Sequence, residues 1–313
     1  MSKQYPIVAV TGASGAGTTV VKNAFKAIFH RQSIKAAFVE GDCFFRYSQA
    51  EEEQRILDSC QSSQPLSIYG PQLNDFYQLQ SLFAEYAEHG HGRIRHRLTT
   101  QEATKQGRVA GEFSDYEALE PSSDLLFYEG LHGAVVANSW TRRKMSSSHN
   151  PQVVKERRQA RNNKAVDVAQ YADLLIGVVP AMNLEWIQKI HHETQTKCQT
   201  TKDASEGILQ RLQDYIYFMV PQFSLTDINF QRMPIVDTSN PFDSRQVPTD
   251  DESIIVVRFR EPKKYDFPQL LERIEDAFMS RSNTMVIKGG QLQLALDVIC
   301  SPIIESLLGR KAL

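Results

Sequence analysis

The sequence predicts an α/β protein, a doubly wound, mostly parallel sheet flanked by helices. Three observations carry that expectation. Short apolar runs at residues 6–11 (PIVAVT), 124–129 (DLLFYE) and 173–179 (DLLIGVV) have the composition of parallel strands buried on both faces. Segments with helical spacing alternate with strand-like ones. A glycine-rich turn separates the first apolar run from the first helical segment.

Taken in order, the strand at 6–11 ends on Gly12, and residues 20–30 show helical periodicity. A second strand at 35–40 stops at Gly41-Asp42. Residues 50–64 read as a polar helix and 74–88 as an amphipathic one. The stretch 89–121 is polar and weakly periodic, so loops with short strands are expected. A helix is expected at 184–193, strands at 233–238 and 253–260, and helices at 267–278 and 291–308. There is no internal repeat, and residues 1–313 read as one domain.

One segment stands apart. Residues 139–164 hold Arg142, Arg143, Lys144, Lys155, Arg157, Arg158, Arg161 and Lys164 against the single acid Glu156. A solvated insertion is the expected reading of such a run. A lid that brings cations to a bound nucleotide is the sharper alternative.

Bulk composition excludes several classes. A formal charge of −2 argues against a general nucleic-acid binder but leaves anionic small molecules open, because those need only a local basic pocket. No signal-peptide layout opens the chain, and no apolar run reaches the ~20 residues of a membrane span. The longest candidate, residues 292–308, is broken by Gln293, Asp297, Pro302 and Glu305. A cytoplasmic protein without a membrane partner is therefore expected. Cys43, Cys60, Cys198 and Cys300 are scattered and read as free thiols. The histidines, including the adjacent His191 and His192, fit no metal spacing.

The chemistry begins at Gly12, Ala13, Ser14, Gly15, Ala16, Gly17, Thr18 and Thr19. This octet follows an apolar strand and opens a helix, the setting in which a glycine-rich loop wraps phosphate with its backbone N–H groups. ATP is the expected ligand. Thr19 stands where a hydroxyl would bind Mg²⁺, while Thr18 stands where the strict pattern has a lysine. Acids at strand ends complete the picture, because ligands of open α/β sheets gather there. Asp42 could accept the proton of an alcohol, and Glu129 could hold the metal. Each acid alone could equally cap a helix or sit in a solvated loop. Their placement relative to the glycine loop favours the catalytic reading, a P-loop NTPase-like kinase fold.

Several stretches resemble the bacterial phosphoribulokinases of the phosphoribulokinase/uridine kinase family: GASGAGTT (12–19), VEGDCFFRY (39–47), LLFYEGLHGAVV (125–136), IGVVPAMNLEWIQKIHHE (176–193), VPQFSLTDINFQR (220–232) and VDTSNPF (236–242). The likeness spans nearly the whole chain and accounts for Thr18, since the bacterial enzymes carry Thr there. It implies transfer of phosphate from MgATP to the 1-hydroxyl of ribulose 5-phosphate, a sugar-phosphate substrate of the Calvin cycle. By position, Asp42 resembles the family's base and Glu129 its metal-associated acid. Lys189 resembles a lysine that neutralises the moving phosphoryl group. Arg46, Glu193 and Lys197 fall at sugar-phosphate-binding positions, and Arg211 where an arginine answers to NADH. A homo-oligomer is implied as well.

Four departures lie on the acceptor side. Phe45 stands where the family has histidine and Gln49 where it has arginine. His192 and Glu193 replace an arginine–aspartate pair, and Lys197 replaces a later arginine. Three functional expectations follow: a phosphoribulokinase with compensated substitutions, a kinase for another acceptor such as a nucleoside, or an ATP-binding regulator without catalysis. The first two require a working Asp42.

Overall fold

The computed structural model describes residues 5–12, 18–60, 66–136, 166–196, 200–242 and 247–309. The first half contains β1 (Ile7–Gly12), α1 (Thr18–Arg31), β2 (Ala36–Glu40), α2 (Gln49–Cys60) and α3 (Phe76–His89). The short elements β3 (Arg93–Ile94), α4 (Thr100–Gln106) and β4 (Glu117–Ala118) come next, before β5 (Leu125–Gly130). The second half holds β6 (Leu174–Pro180), α5 (Met182–Thr196), α6 (Thr201–Asp214), β7 (Ile228–Pro234) and β8 (Ser253–Phe259). It ends with α7 (Phe267–Arg273), β9 (Phe278–Arg281), β10 (Thr284–Lys288) and α8 (Leu292–Gly309).

Eight strands form one sheet in the order β2-β5-β1-β6-β7-β8-β10-β9. The first five are mutually parallel, and β8, β10 and β9 extend the sheet antiparallel. The parallel strands read as unbroken apolar runs because both faces are covered. Val8, Val10, Leu125, Phe127 and Ile176 pack with Val21, Phe25 and Phe29 of α1 and Leu296 and Ile299 of α8. Their neighbours in sequence, Ile7, Ala9, Leu126, Tyr128 and Leu175, point the other way, against Leu79, Phe83 and Tyr86 of α3. This alternation is the two-residue period of a strand, expressed on two cores.

Departures from expectation have local causes. The strand expected at 233–238 lies earlier, at β7, where Ile228 and Phe230 are buried on one face. It ends at Pro234, which has no N–H for a ladder. The helix expected through 278 stops at Arg273, and after Asp276, whose φ is 58°, the chain enters the β9–β10 hairpin. Two helices were not anticipated. α4 sits within the polar stretch on a Thr99/Glu102 capping box, and α6 starts on a Thr200 cap. α8 is the one described helix long and apolar enough to cross a membrane. It is a core helix here, burying Ala295, Leu296, Ile299 and Ile304, linked to the last residue of α1 through Arg31–Asp297 and to the turn after it through Gln32–Glu305. The basic segment 139–164 lies outside the described residues.

Candidate active site

The carboxyl ends of β1, β2, β5 and β6 lie side by side. Val10 and Glu40 are both in register with Glu129, and Gly12 pairs with Val178. Gly12 therefore ends the central strand, and Thr18 and Thr19 are the first residues of a 14-residue helix. Ala13, Ser14, Gly15, Ala16 and Gly17 lie outside the described residues, between the two. The strand and the helix that a phosphate loop requires are both in place.

Asp42 sits in a 3₁₀ turn, Gly41–Phe44, directly after β2. Two glycines bring that turn onto the end of β5. A Cβ on Gly130 would lie 2.7 Å from the Gly41 Cα and 2.6 Å from the Tyr128 hydroxyl, and one on Gly41 would lie 3.0 Å from the Gly130 Cα. Only bare backbone fits this crossing, and it sets the Asp42 turn beside the Glu129 segment. Gly130→Ala is accordingly expected to lower both Tm and kcat. A misplacement on the order of 1 Å costs up to about 10²-fold in rate. Thermal melts and steady-state assays of that variant check this.

Asp42 remains open to solvent on one side. Desolvation by the crowded turn, and next the charge of Glu40, hold its carboxyl above the usual carboxylate range. Arg97 and Lys22 pull the other way without prevailing. Both cations are paired with acids, Lys22 with Glu40 and Arg97 with Glu52. A base with a raised pKa is a better proton acceptor near neutrality. Glu129 is half-buried at the end of β5.

Lys189 stands on α5 in a nest of groups from three elements. Its Nζ donates to Glu185 Oε1 at 2.7 Å and to the Tyr69 hydroxyl at 3.4 Å, and lies 5.8 Å from the centre of the Tyr215 ring. Burial alone would depress the ammonium pKa, but Tyr69 and Glu185 more than offset it, so the net shift is upward. Glu185 is buried, and its second carboxylate oxygen has no hydrogen-bond partner. Burial, and next the Glu185 charge, push the Tyr215 phenol well up. Lys189 is thereby kept charged and aimed. Sequence reasoning missed Glu185, Tyr69 and Tyr215. Glu185 stands one helical turn before Lys189, a spacing that could have flagged it, whereas the two tyrosines are distant in sequence.

The segment 66–75 ties this nest to Asp42. Asp75 N donates to Phe44 O at 2.7 Å and Arg46 N to Leu73 O at 2.9 Å, while Tyr69 reaches Lys189. Arg46, expected at the sugar phosphate, donates its Nε to Pro71 O at 2.7 Å and pairs its Nη1 with Asp75 at 3.2 Å. It braces the frame. Gln222, also missed, joins three segments: it accepts from Thr11 Oγ1 and Ala134 N and donates to Leu131 O and Phe218 O. His132 is buried against the Phe76 ring at 4.7 Å, with neither ring nitrogen partnered. Burial drops its pKa to about 3, so it stays neutral.

Glu193 lies one turn beyond Lys189 on α5 and is half-buried. Lys197 lies outside the described residues. Arg211 is exposed on α6, and its carbonyl accepts the Tyr215 N–H that begins a π-helical turn, Tyr215–Met219. No group of three metal-ligating side chains occurs among the described residues.

A strand–loop–helix setting, a strand-end acid beside it and a half-buried, charged lysine define a P-loop kinase. The profile of the phosphoribulokinase / uridine kinase family matches residues 7–239. The chain belongs to that family. It is 44% identical to the phosphoribulokinase of Sinorhizobium medicae (strain WSM419) over 312 residues, 99% of each chain. It is also 45% identical to that of Xanthobacter flavus over 313 residues, 99% of each chain. The solved phosphoribulokinase from Rhodobacter spheroides superposes with a TM-score of 0.83 at 40% identity, covering 100% of both chains.

Proposed function

We propose that this chain transfers the γ-phosphoryl group of ATP to the 1-hydroxyl of ribulose 5-phosphate, forming ribulose 1,5-bisphosphate and ADP. The observation that carries it is full-length identity of about 44% to enzymes named phosphoribulokinase, joined to a retained Asp42, Glu129 and Lys189. In this reading residues 12–19 take the phosphates of ATP. Asp42 accepts the proton as the 1-hydroxyl oxygen bonds to the γ-phosphorus, the bond to the bridging oxygen breaks, and ADP leaves. Lys189 screens the charge of the phosphoryl group in transit. Thr19 and Glu129 would hold Mg²⁺, which supplies charge neutralisation on the phosphate oxygens. Arg46, Glu193 and Lys197 would border the acceptor, and Arg211 would belong to an effector site in a homo-oligomeric, cytoplasmic enzyme built as a single domain.

A second reading, a kinase for another acceptor, draws on Phe45 and Gln49, neither of which presents a cation. ADP formation from MgATP decides between them. Release that requires ribulose 5-phosphate, with none from uridine, is the expected result. ATP binding without release on ribulose 5-phosphate would shift the assignment to another acceptor or to a non-catalytic ATP binder.

A further inference from the structure

Near Asp42, one guanidinium has part of its donor set unspent. The Arg97 Cζ lies 4.1 Å from the centre of the Phe45 ring. Its Nε and Nη2 donate to the Tyr47 carbonyl at 3.2 and 2.6 Å, and Nη2 also donates to Glu52 Oε2 at 2.5 Å. The Nη1 edge, with two N–H groups, makes no hydrogen bond among the described residues and is not buried. The side chain is only 17% exposed, so the planar group is fixed with one edge free. Arg97 also lies close enough to Asp42 to favour its charged form.

The neighbouring polar groups are committed elsewhere. Lys22 is held by Glu40, and Arg46 spends its Nε on Pro71 and its Nη1 on Asp75, keeping Nη2 without a hydrogen bond among the described residues. Gln49 directs its amide to Glu53 at 3.0 Å and packs against Gly111. Of the two cations that act on Asp42, Lys22 is paired with Glu40 and Arg97 keeps an unused, correctly shaped edge. A guanidinium is always charged, and its N–H groups match phosphate oxygens. Fixing it beforehand through Glu52, Tyr47 and Phe45 removes the ordering cost that a mobile side chain would meet on binding.

We infer that Arg97 is an acceptor-binding, specificity-determining residue of this chain, whose Nη1 edge takes an oxygen of the phosphate group carried by the acceptor. In this arrangement Phe45 is the platform that orients the guanidinium. The position is occupied by a cation even though Phe45 and Gln49 offer none.

The inference rests on the ribulose 5-phosphate kinase reading, and one set of kinetics separates the two. Wild type, Arg97→Gln and Arg97→Lys are assayed with ribulose 5-phosphate and ATP varied in turn, and with inorganic phosphate as inhibitor. Loss of a charged hydrogen bond predicts that Arg97→Gln raises KM for ribulose 5-phosphate by roughly 10- to 10²-fold, with KM for ATP unchanged. Arg97→Lys recovers part of that loss, because it keeps the charge without the fork. Inhibition by phosphate, competitive with the sugar phosphate, weakens in the same order. An unchanged KM for ribulose 5-phosphate, or KM values for both substrates rising together, would assign Arg97 to the frame of the fold and overturn the inference. Should Arg97→Gln fail to fold, Arg97→Lys, which can retain the Glu52 pair, decides it. Wild-type enzyme inactive on ribulose 5-phosphate would sink both readings.

Discussion

Asp42→Asn is expected to lower kcat by about 10²–10⁴-fold while leaving the affinity for ATP unchanged, the range that removal of a positioned general base produces. The change is nearly isosteric, so the 3₁₀ turn and the Gly41–Gly130 crossing have no reason to move. On the proposed mechanism, what is lost is the acceptor of the hydroxyl proton. The readouts are ADP release in steady state and nucleotide binding by titration. Undiminished turnover would remove Asp42 from the mechanism. The pH profile gives an independent check. The base must be ionised to act, and its pKa lies above the ordinary 3.8 because of desolvation and Glu40. Activity is therefore lost as pH falls through that raised value, rather than through the usual carboxylate range. In Glu40→Gln the carboxylate neighbour is gone and Lys22 is released, so the acidic limb moves to lower pH.

The Lys189→Met enzyme should be slowed by roughly 10²–10³-fold in kcat, on the scale of removing one preorganised donor to a developing charge. Glu185→Gln tests how that lysine is maintained. With the carboxylate gone, burial acts on Nζ with only the Tyr69 and Tyr215 phenols facing it, and the ammonium pKa falls. The basic limb of the kcat profile then moves to lower pH, while activity below that limb is better retained than in Lys189→Met. A profile identical to wild type in Glu185→Gln would show that the buried pair serves stability alone. Because Glu185 is buried with one oxygen unpartnered, some loss of Tm is expected as well, and the pH shift is the reading that separates the two roles.

Much of the site was legible because parallel α/β sheets convert linear order into position. An apolar run that ends in glycine must be a strand whose carboxyl end faces the ligand side, so Gly12, Asp42 and Glu129 could be placed at one rim from sequence alone. The same logic failed where polarity hides periodicity. α4 and α6 are exposed over most of their length, and β7 sets the polar Asn229 between Ile228 and Phe230 and follows them with Gln231 and Arg232. Arg46 shows a different limit: its motif position gave no sign that Nε and Nη1 reach Pro71 and Asp75.

Residue order was enough to specify the parallel sheet, the strand–loop–helix cradle, the family and the strand-end acids, because each depends on short-range pattern and chain direction. Long-range packing alone settled how those acids are held and what surrounds them. The Gly41–Gly130 crossing joins residues 89 positions apart, the Lys189 nest draws Tyr69 and Tyr215 from opposite halves of the chain, and Arg97 meets Phe45 across 52 positions. Desolvation and Coulomb effects act through space, so the raised pKa of Asp42 and the sustained charge of Lys189 exist only after folding brings these groups together.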